Sequence, residues 1–154
     1  MEDCLFCKIV KGEISCHKVW EDKNHLAFLS IFPNTEGATV VVPKKHYSSY
    51  AFDLPDEVLK ELILATKKVV KLIDLNLEDV GRTAMVFEGF GVDHVHSKLF
   101  PMHGTSNMEK WKPLESGSKM NTFFEKYPGF ISSHDSDEMS SEKLVEIAKK
   151  IKGE

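Results

Sequence analysis

The amino-acid sequence predicts an α+β fold with an antiparallel sheet, one long helix, and a C-terminal arm plus a short helix. The first observation is a hairpin pattern, in which residues 18–21 and 25–29 flank the polar turn 22–24. The second is a β-branched run at residues 38–42, bounded by Gly37 and Pro43. The third is a long amphipathic segment at residues 55–75, followed by two further strand patterns. Strands linked by hairpins around one helix are typical of α+β proteins.

The long segment has the features of a well-formed helix. Pro55 suits a first turn, and Asp56 and Glu57 complement the N-terminal end of the helix dipole. Apolar side chains recur every three or four residues and form one face: Val58, Leu62, Ala65, Val69 and Ile73. Residues 83–87 and 94–100 then predict two strands, joined by a connection that contains Gly89 and Gly91.

The length of 154 residues fits a single domain, with a core at about residues 4–103. Residues 104–128 are rich in Gly, Ser, Asn and Pro, which indicates an irregular arm. Residues 141–151 predict a short helix that Ser141 caps. The arm and this helix together span about residues 104–154.

Composition and charge exclude several classes of partner. The net charge is -4 with acids and bases intermixed, so no basic surface for a nucleic-acid polymer or an anionic membrane is indicated. No apolar run approaches transmembrane length, and the first residues lack the pattern of a signal peptide. Three cysteines are an odd number, which argues against a disulfide framework and favours a cytoplasmic location.

The segment 94–100 carries the candidate chemistry. On a strand, His94, His96 and Lys98 share one face at steps of about 7 Å, while Val95 and Leu99 point toward the core. Three basic groups in a row gain nothing from packing, so we expect them to face an anion or a metal. A neutral imidazole is a good nucleophile toward phosphorus, and a lysine can hold phosphate oxygens. The alternative is a half-exposed strand edge with polar side chains outward.

Cys4 and Cys7 have the spacing of half a zinc site. No second cysteine pair follows, so histidines would have to complete such a site. A redox pair and two unrelated thiols remain alternatives. A redox pair would require a helix that begins directly after the first cysteine, and Gly12 limits any helix there.

Three segments resemble the histidine-triad (HIT) family. HVHSKLF at residues 94–100 resembles the His-x-His-x-His-x-x signature, and CLFCKIVKGEI at residues 4–14 resembles the N-terminus of the family. The stretch from residue 25 to residue 46, with HLAFL and VVPKKH at its ends, is also similar. The resemblance covers roughly residues 4–101 with the order and spacing preserved.

The resemblance implies an α+β fold that usually dimerises and binds a nucleotide or a nucleotide conjugate. Enzymes of the family cleave a bond at the α-phosphorus through a histidine-bound intermediate, and His96 matches the nucleophile. Zinc-binding relatives complete the cysteine pair with histidines that correspond to His46 and His94. The resemblance therefore implies a structural zinc held by these two histidines together with Cys4 and Cys7.

Two positions and one loop depart from the family pattern. Lys98 stands where the third histidine is expected, and Ser30 stands where an aspartate often holds the ribose hydroxyls. The loop of residues 88–93 lacks the Asn and Gln that family members often place near the phosphate. His103 follows the signature and is a candidate replacement for the third histidine, although a solvated loop histidine is the more ordinary interpretation.

The leading hypothesis is a nucleotidyl hydrolase or transferase, in which His96 attacks phosphorus and Lys98 stabilises charge. Ser30, Lys98 and His103 are the candidate substrate-binding residues. The second hypothesis is a non-catalytic, zinc-stabilised nucleotide-binding or scaffold module with a degenerate site. The third is a metal-dependent enzyme that uses His94, His96 and His103 as an open triad.

Overall fold

The computed structural model describes residues 4–106, 125–126 and 140–142. In chain order it contains helix α1 (Leu5–Val10), strands β1 (Lys18–Glu21), β2 (His25–Leu29) and β3 (Thr39–Pro43), and the short 3-10 turn Ala51–Asp53. Helix α2 (Asp56–Asn76) and strands β4 (Val80–Val86) and β5 (Ser97–His103) follow. The α+β class predicted from the sequence is confirmed.

The chain divides into two compact units, residues 1–111 and residues 112–154. In the second unit, Ser141 and Glu142 are helical, so Ser141 belongs to the helix and is not the non-helical cap that was expected. The rest of that helix and most of the predicted arm lie outside the described residues. Over the described ranges, no helix has the length and apolar character that a membrane span requires.

The five strands form one antiparallel sheet in the order β1-β2-β3-β5-β4. The predicted hairpin is β1 and β2, and the predicted helix corresponds to α2 within one residue at each end. The first three residues of the predicted 94–100 strand are not part of β5, which begins at Ser97. The pairing of β3 with β5 ends at Val41 and Ser97, and the amide of Val95 donates to the carbonyl of Tyr47 instead.

The alternation of side chains across residues 94–99 is nevertheless the predicted one. Val95 and Leu99 are fully buried in the core between α2 and the sheet. The opposite face of the sheet carries a second apolar cluster, formed by Phe6, Leu26, Phe28, Val40 and Val42. The rings of His94 and His96 lie against Phe6, so both histidines occupy the face that α1 covers.

One buried polar contact ties α2 to the start of β5. The hydroxyls of Thr66 and Ser97 lie 2.8 Å apart, and both side chains are shielded from solvent. A hydrogen bond in such a dry environment is costly to break on one side only. It therefore fixes Ser97, the residue that follows His96, against the middle of the helix.

Candidate active site and metal centre

His96 is held in one orientation by the backbone. Its Nδ1 lies 2.7 Å from the carbonyl oxygen of His94 and must donate to it, so the neutral ring carries its lone pair on Nε2. The ring of Phe6 packs edge-on at 5.2 Å between centroids. The Nε2 of His96 makes no hydrogen bond with another described residue, and no fully buried side-chain nitrogen or oxygen among the described residues lacks a partner, so this nitrogen reaches solvent.

The environment of His96 favours the neutral imidazole. Burial lowers its pKa, and the nearby charge of Lys98 acts in the same direction. The hydrogen bond to the His94 carbonyl and the charge of Glu88 oppose this shift without reversing it. The ring thus keeps the form in which a histidine can act as a nucleophile.

Cys4, Cys7, His46 and His94 form a cluster whose ligand atoms all lie within 4.8 Å of one another. The Sγ of Cys4 is 3.4 Å from the Nδ1 of His94, and the Sγ of Cys7 is 3.4 Å from the Nδ1 of His46. Tetrahedral zinc with Zn–S near 2.3 Å and Zn–N near 2.05 Å separates sulfur and nitrogen ligands by about 3.6 Å. Three of the sulfur–nitrogen distances, 3.4 to 3.5 Å, are close to this edge length, so the four side chains could hold a metal ion.

The orientation of the His94 ring also suits a ligand. Its Nε2 lies 2.8 Å from the carbonyl oxygen of Pro43 and donates to it, which leaves the lone pair of the neutral ring on Nδ1. That nitrogen faces both sulfur atoms. His94 thus contributes its side chain to the cluster and its backbone carbonyl to His96.

The cysteine pair sits on a helix that the sequence did not predict. Helix α1 begins directly after Cys4, whose Sγ accepts the amide of Cys7 at 3.4 Å. Gly12 limits this helix as expected, because α1 ends at Val10 and Gly12 follows with a positive φ, but the six residues that precede it are enough for a short helix. Helix geometry therefore does not argue against a redox pair, but both sulfur atoms face histidine nitrogens. Burial and the neighbouring Cys4 raise the pKa of the Cys7 thiol.

Lys98 already has an anionic partner inside the protein. Its Nζ forms an ion pair with the carboxylate of Glu88, and both side chains are partly buried. Glu88 was not predicted as a site residue. Lys98 pairs with Val86 across β4 and β5, which brings Glu88, two residues further along the chain, within reach of the lysine. The sequence-based expectation that an anion must offset Lys98 is met by Glu88.

Ser30 and His103 are the two remaining candidates. Ser30 follows β2, and its hydroxyl accepts the amide of Phe32 in the turn toward β3. His103 is the last residue of β5, and its exposed ring lies 3.1 Å from the carbonyl oxygen of Glu36. Seven extended residues span about 23 Å, so the structure does not bring His103 next to His96. An open triad of His94, His96 and His103 is not formed within the described chain.

The fold and the paired histidines beside the Cys/His cluster define a protein of the histidine-triad class. The family model of the HIT domain matches residues 11–105, which is more than half of the chain. The chain belongs to the HIT domain family.

Relatives and solved structures agree with this assignment. An adenosine 5'-monophosphoramidase of Schizosaccharomyces pombe is 41% identical over 102 residues, which cover 64% of this chain and 73% of that protein. The crystal structure of a HIT family protein from Bacillus subtilis matches with a TM-score of 0.65 and 28% identity, covering 98% of this chain and 96% of the other. A HIT family hydrolase from Legionella pneumophila matches with a TM-score of 0.53 and 35% identity, covering 64% and 91%.

Proposed function

We propose that the protein is a hydrolase of nucleotide conjugates that cleaves at the α-phosphorus through a covalent intermediate on His96. The observation that carries the proposal is the hydrogen bond from the Nδ1 of His96 to the His94 carbonyl, because it leaves Nε2 as the nucleophilic atom. Related adenosine 5'-monophosphoramidases support a phosphoramidate as the substrate class.

The proposed reaction has two displacements. The Nε2 of His96 forms a bond to phosphorus as the bond between phosphorus and the leaving amine breaks, and the amine leaves with a proton from solvent. Water then attacks the nucleotidyl-histidine, which releases the monophosphate and restores the neutral ring. Transfer to an acceptor other than water would use the same intermediate.

Lys98 is proposed to stabilise the non-bridging phosphate oxygens as an ammonium. Glu88 holds that ammonium in the absence of substrate, so the phosphate has to compete with a carboxylate for it. The net contribution of Lys98 to binding is therefore smaller than that of an unpaired lysine. We propose Ser30 as a residue at the nucleoside end of the substrate, and we assign no role to His103.

We further propose that Cys4, Cys7, His46 and His94 bind zinc. Zinc with two cysteines and two histidines is a closed structural set, and its contribution is to fold stability rather than to the reaction. The cluster joins α1 to the segment that carries His96, since Cys4 and Cys7 lie on the helix side and His94 lies on the other. The exchange of one ligand would therefore weaken the packing of α1 against the segment that carries His96.

A substitution of His96 tests the proposal directly. His96→Ala should fold and lose turnover of adenosine 5'-phosphoramidate by about a thousand-fold or more, on the order of 4 kcal/mol in the barrier. His17→Ala is the matched control, because His17 is an exposed histidine next to β1. Mass spectrometry of wild-type protein quenched in turnover should detect adenylate on His96. Near wild-type rates for His96→Ala would refute the assignment of the nucleophile.

A second candidate function is a non-catalytic nucleotide-binding or scaffold module. The closed ion pair of Lys98 and Glu88 favours it, because a committed lysine is less available to a phosphate. Wild-type protein that binds AMP but neither turns over a phosphoramidate nor forms an adenylate would establish this function.

We also propose a homodimer. Strand β4 is an edge of the sheet, and β4 together with the adjacent helix α2 carries apolar side chains that remain exposed: Leu64, Leu75 and Met85. A symmetric dimer would cover such a surface. Leu75→Glu should shift the sedimentation coefficient toward the monomer. The free thiols of the three cysteines are in keeping with the proposed cytoplasmic location.

A further inference from the structure

A pocket of about 440 Å³ lies where the turn between β1 and β2, the residues after β3 and the first turns of α2 meet. Its walls include Lys23, His25, Lys44, Lys45, Val58 and Glu61. His25 alternates with Leu26 and shares the face of Ala27, which packs in the core under α2. His96 lies against Phe6 on the other face of the sheet, so this pocket is separate from the proposed catalytic site.

His25 is a buried and oriented histidine that the proposed reaction does not use. Only 4% of the residue is exposed, and its Nδ1 lies 3.3 Å from the Oδ1 of Asp22. The same oxygen accepts the amides of Asn24 and His25 at 2.8 and 2.7 Å, which fixes Asp22 in place. The Nε2 of His25 has no recorded partner among the described residues, and no described buried side-chain nitrogen is left unsatisfied. Nε2 therefore reaches solvent, and the pocket is the cavity that the ring lines.

The pocket is lined by Lys23, Lys44, Lys45 and one acidic residue, Glu61, and the Asp22 carboxylate contacts the lining residue His25. The Nζ of Lys44 lies 2.6 Å from Glu21, so its charge is already balanced. The Nζ of Lys45 lies 5.2 Å from the centroid of the Tyr47 ring, and Lys23 has no ion-pair partner among the described residues. Glu61 is the one acidic residue that lines the pocket with Lys23 and Lys45.

We propose that this pocket binds a small phosphate ester. Lys23 and Lys45 provide charge for the phosphate. With its Nδ1–H directed at Asp22, the Nε2 of His25 can accept a hydrogen bond from a hydroxyl of the ligand. The volume exceeds what inorganic phosphate fills, and Val58 and the ring of Tyr47 offer apolar surface to the carbon skeleton of the ester.

The test is a titration of the full chain with ribose 5-phosphate, followed through the imidazole nitrogen signals of His25. A His25→Gln variant assigns those signals. We expect a saturable shift, and Lys23→Gln and Lys45→Gln should each weaken binding by about three-fold to ten-fold. Glu61→Gln should tighten binding, because it removes the opposing charge. Glu57→Gln is the matched control, since Glu57 lies one turn earlier on α2, is paired with Lys60 and does not line the pocket.

Three outcomes of this titration would overturn the proposal, and a parallel titration supplies a fourth. The first is the absence of a saturable shift at His25. The second is unchanged affinity in both lysine variants. The third is a shift that disappears in His96→Ala, because it would place the ligand in the catalytic site. A parallel titration with inorganic phosphate separates the ester from the free anion: weaker binding than that of ribose 5-phosphate supports the proposal, and equal affinity refutes the choice of an ester. None of these results depends on turnover, so they are independent of the proposed hydrolase activity.

Discussion

Removal of the Thr66 hydroxyl should destabilise the protein because it leaves the buried hydroxyl of Ser97 without a hydrogen-bond partner. Thr66→Val keeps the shape of the side chain but deprives the Ser97 hydroxyl, which is fully buried, of its partner at 2.8 Å. An unsatisfied buried hydroxyl costs about 1–3 kcal/mol, which corresponds to a decrease in melting temperature of roughly 3–10 °C for a chain of this size. Thermal and urea denaturation by circular dichroism measure the loss.

Removal of the other hydroxyl, that of Ser97, should lower the free energy of unfolding by less, so a comparison of the two variants tests this account. In Ser97→Ala the Thr66 hydroxyl can turn to the carbonyl of Leu62, four residues earlier on α2, whereas a serine in β5 has no such option. Thr66→Val/Ser97→Ala should cost less than the sum of the single variants, since neither hydroxyl remains unpaired. Strictly additive losses, or a loss below about 0.5 kcal/mol in Thr66→Val, would refute this account of the contact.

Three further predictions concern the metal cluster, the ion pair and acid stability. Protein purified without added metal should contain about one zinc per chain by elemental analysis, and Cys7→Ser should lower the melting temperature more than Cys16→Ser; a zinc-free protein with freely reactive thiols would contradict this. Lys98→Met should weaken AMP binding in calorimetry by roughly ten-fold, at the lower end for a charge-assisted hydrogen bond because Glu88 already holds the lysine; unchanged affinity would mean that Lys98 only pairs with Glu88. Lys18 and Lys44 lower the pKa of Glu21 to about 2. This carboxylate therefore stabilises the fold above its unfolded pKa, and the contribution is lost as the pH falls from about 4.3 toward 2. In acid titrations, the free energy of unfolding of Glu21→Gln should decrease less over that range than that of the wild type.

The sequence predicted those elements whose apolar residues recur with a regular spacing. Helix α2 and the hairpin of β1 and β2 follow directly from apolar spacing, and so does the alternation across residues 94–99. The start of β5 could not be predicted in this way, because an extended segment alternates its side chains whether or not it pairs with a neighbour. The amide of Val95 finds its acceptor in a loop 48 residues earlier, at Tyr47, and no local pattern records that contact.

The sequence motifs predicted the four candidate metal ligands, but they could not predict contacts that depend on the register between strands. The four candidate metal ligands do converge, although they come from three separate segments. Glu88 was missed because its contact with Lys98 depends on which residues of β4 and β5 face each other. Helix α1 was missed because six residues give too short a period to recognise, and its first turn depends on the sulfur of Cys4 as a cap.

The arrangement of His94 limits what mutagenesis of the cluster can report. Its imidazole contacts both cysteines and the Pro43 carbonyl, its main-chain oxygen accepts from His96, and only the imidazole is altered by exchange of the residue. A substitution at position 94 therefore removes the ring from the cluster and from its contact with Phe6, but it keeps the main-chain carbonyl that orients His96. A variant at this position therefore tests whether the main chain beside the nucleophile keeps its place without the His94 ring.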